Sequence, residues 1–288
     1  MLTLNSTGMS EVHYLTQIKK CVTFIFIFKE GKYIPLGTGF FVGVQMAEKF
    51  TVYLVTAKHV LQSENGDFYN EVYLRLNTYE NIDKMLRCFF EPSNLLIHHD
   101  KNVDIICTPC FPDSTLFDYK FISDSYFTDE RVLEEKGISE GTDIFYAGLF
   151  FNYYGDQQNH PLIRFGKVSS LTNEKIRITK PTEPLKVAHL YLFESHSLGG
   201  FSGSPVFFQL DRLNKKGAIH YGNPEIYLSG VMKGHYNDFI ISPVAELKDN
   251  ILRELNLGIS AVTPCYLLKE ILFSPSEIKL REANNRFH

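Results

Sequence analysis

An all-β architecture, a barrel or a sandwich, is expected of this chain on three grounds. Short runs rich in Phe, Tyr, Val and Ile recur along most of its 288 residues. Gly, Asn and Pro punctuate those runs, and no long helical pattern alternates with them as a doubly wound α/β sheet would require. In order, the strand runs fall at 22–28, 39–44, 51–56, 71–76, 144–149, 191–193, 205–209, 226–231 and 239–241. The first is β-branched and aromatic, bounded by Lys20 and by Lys29-Glu30, and far too short to span a bilayer. Between about 112 and 140 the composition turns to Asp, Ser and Lys, with a short helix expected over 130–136, so this stretch reads as a connection between two β subdomains. After Ser242-Pro243, residues Val244, Leu247, Ile251 and Leu255 recur at helical spacing, and Pro243 suits a first helical turn. A helix is therefore expected over 243–256, and another short one over 266–273.

Composition narrows the function. The chain is 44% hydrophobic and 22% charged, as in an ordinary globular protein, with a formal net charge of −4. Its closest approaches to a basic block are the isolated pairs Lys19-Lys20 and Lys215-Lys216, so nucleic acid is not expected as a ligand. The first residues lack a basic start followed by an apolar core, and no membrane segment is expected anywhere. Five cysteines at 21, 88, 107, 110 and 265 are odd in number and scattered. They fit a reducing, cytoplasmic interior, mostly as small packing groups. Cys107 and Cys110 form a lone CxxC, for which redox or zinc chemistry is the alternative, but no second Cys/His pair has metal spacing nearby. No metal or cofactor is expected.

Three short motifs carry chemistry. Gly199-Gly200-Phe201-Ser202-Gly203-Ser204-Pro205 places a serine in a glycine turn that exits into an apolar strand. Leu54-Val55-Thr56-Ala57-Lys58-His59 puts a histidine at a strand end, after Gly37-Thr38-Gly39-Phe40-Phe41-Val42. Asn102-Val103-Asp104-Ile105-Ile106 sets an aspartate just before another apolar run, and Asp100 is a competing acid in a more polar stretch. The order His59, Asp104, Ser202 is one of three known arrangements of a nucleophilic triad and differs from that of the α/β-hydrolases.

On these residues the sequence resembles the trypsin-like, chymotrypsin-fold serine proteases. Among them it is most similar to bacterial HtrA/Deg proteases and the glutamyl endopeptidases. Gly141-Thr142-Asp143-Ile144-Phe145-Tyr146-Ala147-Gly148, Arg164-Phe165-Gly166-Lys167-Val168-Ser169, Leu228-Ser229-Gly230-Val231 and Ile241-Ser242-Pro243-Val244 continue the match over about 20–256. The resemblance implies two six-stranded β-barrels with a C-terminal helix: a first barrel at about 20–112, a linker at 113–140, a second barrel at 141–242 and the helix at 243–256. Extensions at 1–19 and 257–288 flank them. It also implies a serine endopeptidase acting on protein or peptide substrates through an acyl-enzyme. His59 would take and return the proton of the Ser202 hydroxyl, Asp104 would fix the imidazole tautomer, and the N–H groups of Gly200 and Ser202 would receive the oxyanion. By the same resemblance His196, Ser197 and Leu198 form the base of a substrate pocket and Met232, Lys233, Gly234 and His235 its wall. A peptide would pair with the strand edge near 232–234.

The departures also matter. Where trypsin has an aspartate before the nucleophile, which pairs with a freed N-terminus, this chain has Phe201, so that activation route is not expected. About 30 residues follow the expected last helix, too few for a PDZ domain. The two terminal extensions are then the candidate contacts for a regulatory partner. The alternative function is a catalytically silent binding or scaffold module that keeps the protease fold.

Overall fold

The computed structural model describes residues 13–80, 82–179, 184–195, 199–210, 224–235 and 258–285. The expected helix at 243–256 and strand at 239–241 lie outside them. The first subdomain is built from β1 (Val22–Lys29), β2 (Lys32–Met46), β3 (Lys49–Thr56), β4 (Glu71–Asn77), β5 (Asp83–Phe89), β6 (Leu96–Ile97), β7 (Ile106–Pro109) and β8 (Ile122–Ser123). The second contains β9 (Asp143–Gly148), β10 (Leu162–Ser170), β11 (Lys175–Arg177), β12 (Val187–His189), β13 (Tyr191–Glu194), β14 (Pro205–Leu210), β15 (Glu225–His235) and β16 (Ile259–Pro264). Four helices accompany them among the described residues: α1 (Tyr14–Lys20), α2 (Glu130–Lys136), α3 (Cys265–Leu272) and α4 (Pro275–Asn285).

The fold is all-β, as expected, but its two halves close differently. The second half is a closed barrel in the order β10-β13-β16-β15-β14-β9, all neighbours antiparallel. The first is a path β5-β4-β1-β2-β3-β7-β6, with β8 added in parallel to β2; among the described residues no hydrogen-bonded pairing joins its two end strands.

Burial explains why several strands read as unbroken apolar runs. Along β9, Ile144 and Tyr146 face the interior of the second barrel, while Phe145 and Ala147 belong to the core of the first subdomain. β14 repeats this: Val206 and Phe208 point into the barrel, Phe207 into the other core, stacked on Phe145 at 5.0 Å. A strand with both faces buried has no solvent side, so the alternation expected of an antiparallel sheet disappears. β9 and β14 form a wall common to both cores.

The helix expected at 130–136 is present. Its N-cap, Asp129, accepts a hydrogen bond from Val132 N, and Gly137 closes its C-terminus at φ 66°, a left-handed position that suits glycine. The boundaries at the chain ends differ from expectation. The strand that completes the second barrel is β16, within the region read as an extension; it pairs β13 and β15. α3 buries Leu267, Leu268, Ile271 and Leu272 against the first core. α4 sets Glu277 and Arg281 around Tyr53, whose hydroxyl accepts from Arg281 Nη1 at 3.0 Å and lies 3.4 Å from Glu277 Oε2. At the other end α1 buries Tyr14 and Ile18. The described parts of both extensions are thus packed on the chain's own core.

Candidate active site

His59 sits in a single 3-10 turn, Lys58–Leu61, that follows β3. Asp104 precedes β7, which pairs with β3 so that Thr56 faces Ile106. That pairing brings the two residues together although 45 positions separate them in sequence. Asp104 Oδ1 accepts the backbone N–H of His59 at 3.0 Å, and Oδ2 lies 2.7 Å from His59 Nδ1. The carboxylate is 7% exposed and the imidazole 45%, so the outer edge of the ring is left open. Asp100 does not compete: its oxygens bond the Asn102 N–H and Lys175 Nζ.

A third group completes the surroundings of Asp104. Lys233 Nζ, from β15, donates to Oδ2 at 2.7 Å. Burial by itself raises the Asp104 pKa, yet the hydrogen bond and charge of His59 and then the charge and hydrogen bond of Lys233 outweigh it. The carboxyl is held far below the usual carboxylate range. Lys58 lies on the other side, donating to the carbonyls of Lys101 and Val103 at 2.6 and 3.0 Å. Its pKa is lowered, chiefly by burial and secondarily by Lys233, while Asp104 opposes the shift.

Ser202 lies in the turn before β14, and two glycines there take up left-handed backbone, Gly200 at φ 102° and Gly203 at φ 85°. At Gly203 space demands glycine as well: a Cβ would meet Thr38 O at 2.1 Å and Thr56 Oγ1 at 2.2 Å. The first subdomain clamps this turn through Thr38. Thr38 N donates to Ser202 O at 2.9 Å; its hydroxyl donates to Gly200 O at 2.8 Å and accepts from Leu149 N at 2.7 Å. From the barrel side, Gly203 N reaches Met232 O at 2.8 Å, and Met232 N reaches Ser204 O at 2.9 Å. Phe201, fully buried, packs edge-on against Tyr146. An apolar side chain at that position anchors the turn in the barrel core.

The geometry therefore assembles one side of the site and holds the other close by. The Ser202 hydroxyl donates to the carbonyl of Lys233 at 3.1 Å; among the described residues no hydrogen bond links it to the imidazole. The N–H groups of Gly200 and Ser202 donate to no acceptor among the described residues. Gly234 passes close to the hydroxyl, since a Cβ there would lie 3.8 Å from Ser202 Oγ. Of the expected pocket residues, Met232 is buried, Lys233 turns its side chain to Asp104, and Gly234 lies near the end of β15, opposite Ala261 of β16. His196, Ser197 and Leu198 lie outside the described residues, as does the side chain of His235. Sequence reasoning missed the part of Thr38, whose only local signal was the Gly-Thr-Gly run, and the contact of Lys233 with Asp104, which has no local signal.

One group among the described residues converges as a metal site would: His98, His99 and Glu270, with donor atoms within 4.8 Å of one another. His98 Nδ1 accepts the Asp100 N–H at 3.0 Å, which puts the ring proton on Nε2, 2.8 Å from Glu270 Oε2. That is a hydrogen-bonded arrangement. A metal on Nε2 would need the proton on Nδ1, facing another donor. Among the described residues no helix is long and apolar enough to cross a membrane.

No protein-family model and no curated protein matches this chain. Among solved structures it is similar to the active form of the Rv3671c protease from M. tuberculosis, at 15% identity and a TM-score of 0.46, over 90% of this chain and 82% of that one. It is also similar to the inactive form of the Rv3671c protease, at 15% identity and a TM-score of 0.45, over 90% of each chain.

Proposed function

We propose that this chain is a serine endopeptidase of the trypsin-like class, with His59, Asp104 and Ser202 as its triad. The observation that carries the reading is the joint placement of a His59–Asp104 pair at 2.7 Å and a serine turn clamped by Thr38 of β2, the strand paired with the one that leads into the histidine. In this mechanism Asp104 keeps the imidazole proton on Nδ1, leaving Nε2 free as a base. The Ser202 hydroxyl swings from the Lys233 carbonyl to Nε2, loses its proton as it attacks the scissile carbonyl, and forms the acyl-enzyme. His59 then gives the proton to the leaving amine. The N–H groups of Gly200 and Ser202 take up the oxyanion; losing one such donor costs about 10²–10³ in rate. Water, deprotonated by His59, releases the acyl group.

A fluorophosphonate probe tests this. It should label wild type at Ser202 and leave Ser202→Ala and His59→Ala unlabelled, while a peptide library reports cleavage by wild type alone. The second reading, a silent binding module, is favoured by one observation: the hydroxyl bonds the Lys233 carbonyl and not the imidazole. Absence of labelling across neutral and mildly alkaline pH, with the protein folded, would select that reading.

A further inference from the structure

The open seam of the first subdomain carries chemistry unrelated to the candidate active site. Among the described residues β5 and β6 end the strand path without pairing each other, and β7 lies next to β6. Between β5 and β7 is a cavity of ≈ 250 Å³ lined by Cys88, Phe89, Phe90, Asn94, Thr108 and Cys110, among others. Cys88 comes from β5 and Cys110 from the residue after β7, and both are free thiols. Both thiols line this cavity, and Cys88 Sγ donates to the carbonyl of Leu86 at 3.8 Å.

The CxxC partner suggested by sequence is not the partner in space. Side chains alternate along an extended strand, so residues three apart face opposite ways. Cys107 accordingly points into the core, 1% exposed and with burial pushing its thiol up, while Cys110 faces the seam. Cys21 and Cys265 are likewise buried, each pushed up to about 12 chiefly by burial. Cys110, on the same cavity, lowers the pKa of the Cys88 thiol, while Cys88 and burial raise that of Cys110. Cys88 is the less buried of the two and so the one open to an oxidant, and Cys110, buried on the same cavity, is placed to resolve it.

We propose that Cys88 and Cys110 form a reversible disulfide that staples the seam of the first subdomain in response to a hydroperoxide. The Cys88 thiolate attacks the peroxide oxygen, the O–O bond breaks, and hydroxide leaves, taking up a proton as water. Cys110 then attacks the Cys88 sulfenic sulfur and a second water departs, so that two thiols and one hydrogen peroxide give one disulfide and two waters. A dithiol reductant reverses the step by exchange. The chain enclosed between the two cysteines includes Asp104, so the staple restrains the segment that carries it.

The experiment uses the full chain. Reduced protein is freed of reductant, treated with a small excess of hydrogen peroxide, alkylated with N-ethylmaleimide while folded, and peptide-mapped. The expected result is one cross-linked peptide pair joining Cys88 to Cys110, lost on dithiothreitol treatment. The apparent Tm of the oxidised protein should rise by about 5 °C from closure of the enclosed loop. Cys107→Ser should keep the link. Recovery of both seam cysteines as alkylated thiols, accumulation of sulfinic acid at Cys88 without a link, or a bridge between Cys107 and Cys110 would each overturn the proposal. The map of the wild type decides it even where a cysteine variant fails to fold.

Discussion

The two sides of the candidate site are built by opposite strategies. The His59–Asp104 side is fixed by contacts the two residues make directly, with two hydrogen bonds between them and a third from Lys233. The Ser202 side is fixed at one remove, through the backbone of its turn: Thr38, Met232 and Phe201 hold the loop while the hydroxyl itself stays free to rotate about one bond. A base works only in one tautomer and orientation, so it needs rigid partners. A nucleophile has to move between proton donor, attacker and ester, so its backbone is the part to be held.

The largest test of this contrast removes each reacting group. On the proposed function, Ser202→Ala and His59→Ala each lower peptide turnover by about 10⁴-fold or more while leaving the melting temperature nearly unchanged. If either loses folding instead, the division between reacting group and support is wrong. Next comes the support itself. Thr38→Val strips the hydroxyl that links Gly200 O to Leu149 N and leaves both buried groups without that partner, costing about 2–4 kcal/mol by urea denaturation and lowering kcat with it. Unchanged stability would show that the turn is held by its own glycines alone.

A control away from both sides is Arg75, 4% exposed. It forks onto Asp83 at 2.7 and 3.0 Å and reaches the carbonyls of Gly155 and Asp156 in the second subdomain. Arg75→Ala should cost about 3 kcal/mol, since it strands a partly buried carboxylate and two carbonyls, yet leave kcat at neutral pH unaltered in the protein that remains folded. The smallest effect concerns pH. Because the folded Asp104 pKa is depressed, its contribution to stability is complete above the unfolded carboxylate value of ~3.9 and declines as pH falls below it. Asp104→Asn should therefore flatten the loss of stability between about pH 4 and pH 2, measured by chemical denaturation at each pH. A slope identical to wild type would mean that other carboxylates, such as Asp129 beside Lys269, dominate acid unfolding.

What could be read from sequence follows from where the information sits. The pairing of His59 with Asp104 could be expected from sequence because both stand in short motifs at strand ends; on the proposed function the same holds for Ser202, since the chemistry restricts the residue types there. The helix at 130–136 was legible because its cap and its terminal glycine are both local. β16 was not: Ile259-Ser260-Ala261-Val262-Thr263-Pro264 is a strand only because β13 and β15 flank it. The reach of Lys233 to Asp104, and the meeting of Cys88 and Cys110 on one cavity, likewise depend on which strands the topology sets side by side.

The common wall of β9 and β14 has a consequence for the chain as a unit. A partition wetted on neither face belongs to two rooms at once, so neither room can be furnished alone. Cutting the chain in the connection around α2 would bare Phe145 and Phe207 on one fragment and their packing partners on the other. The two barrel-like halves are therefore lobes of one cooperative body, and the candidate site, with His59 on one lobe and Ser202 on the other, is assembled only after both have condensed onto the same pair of strands.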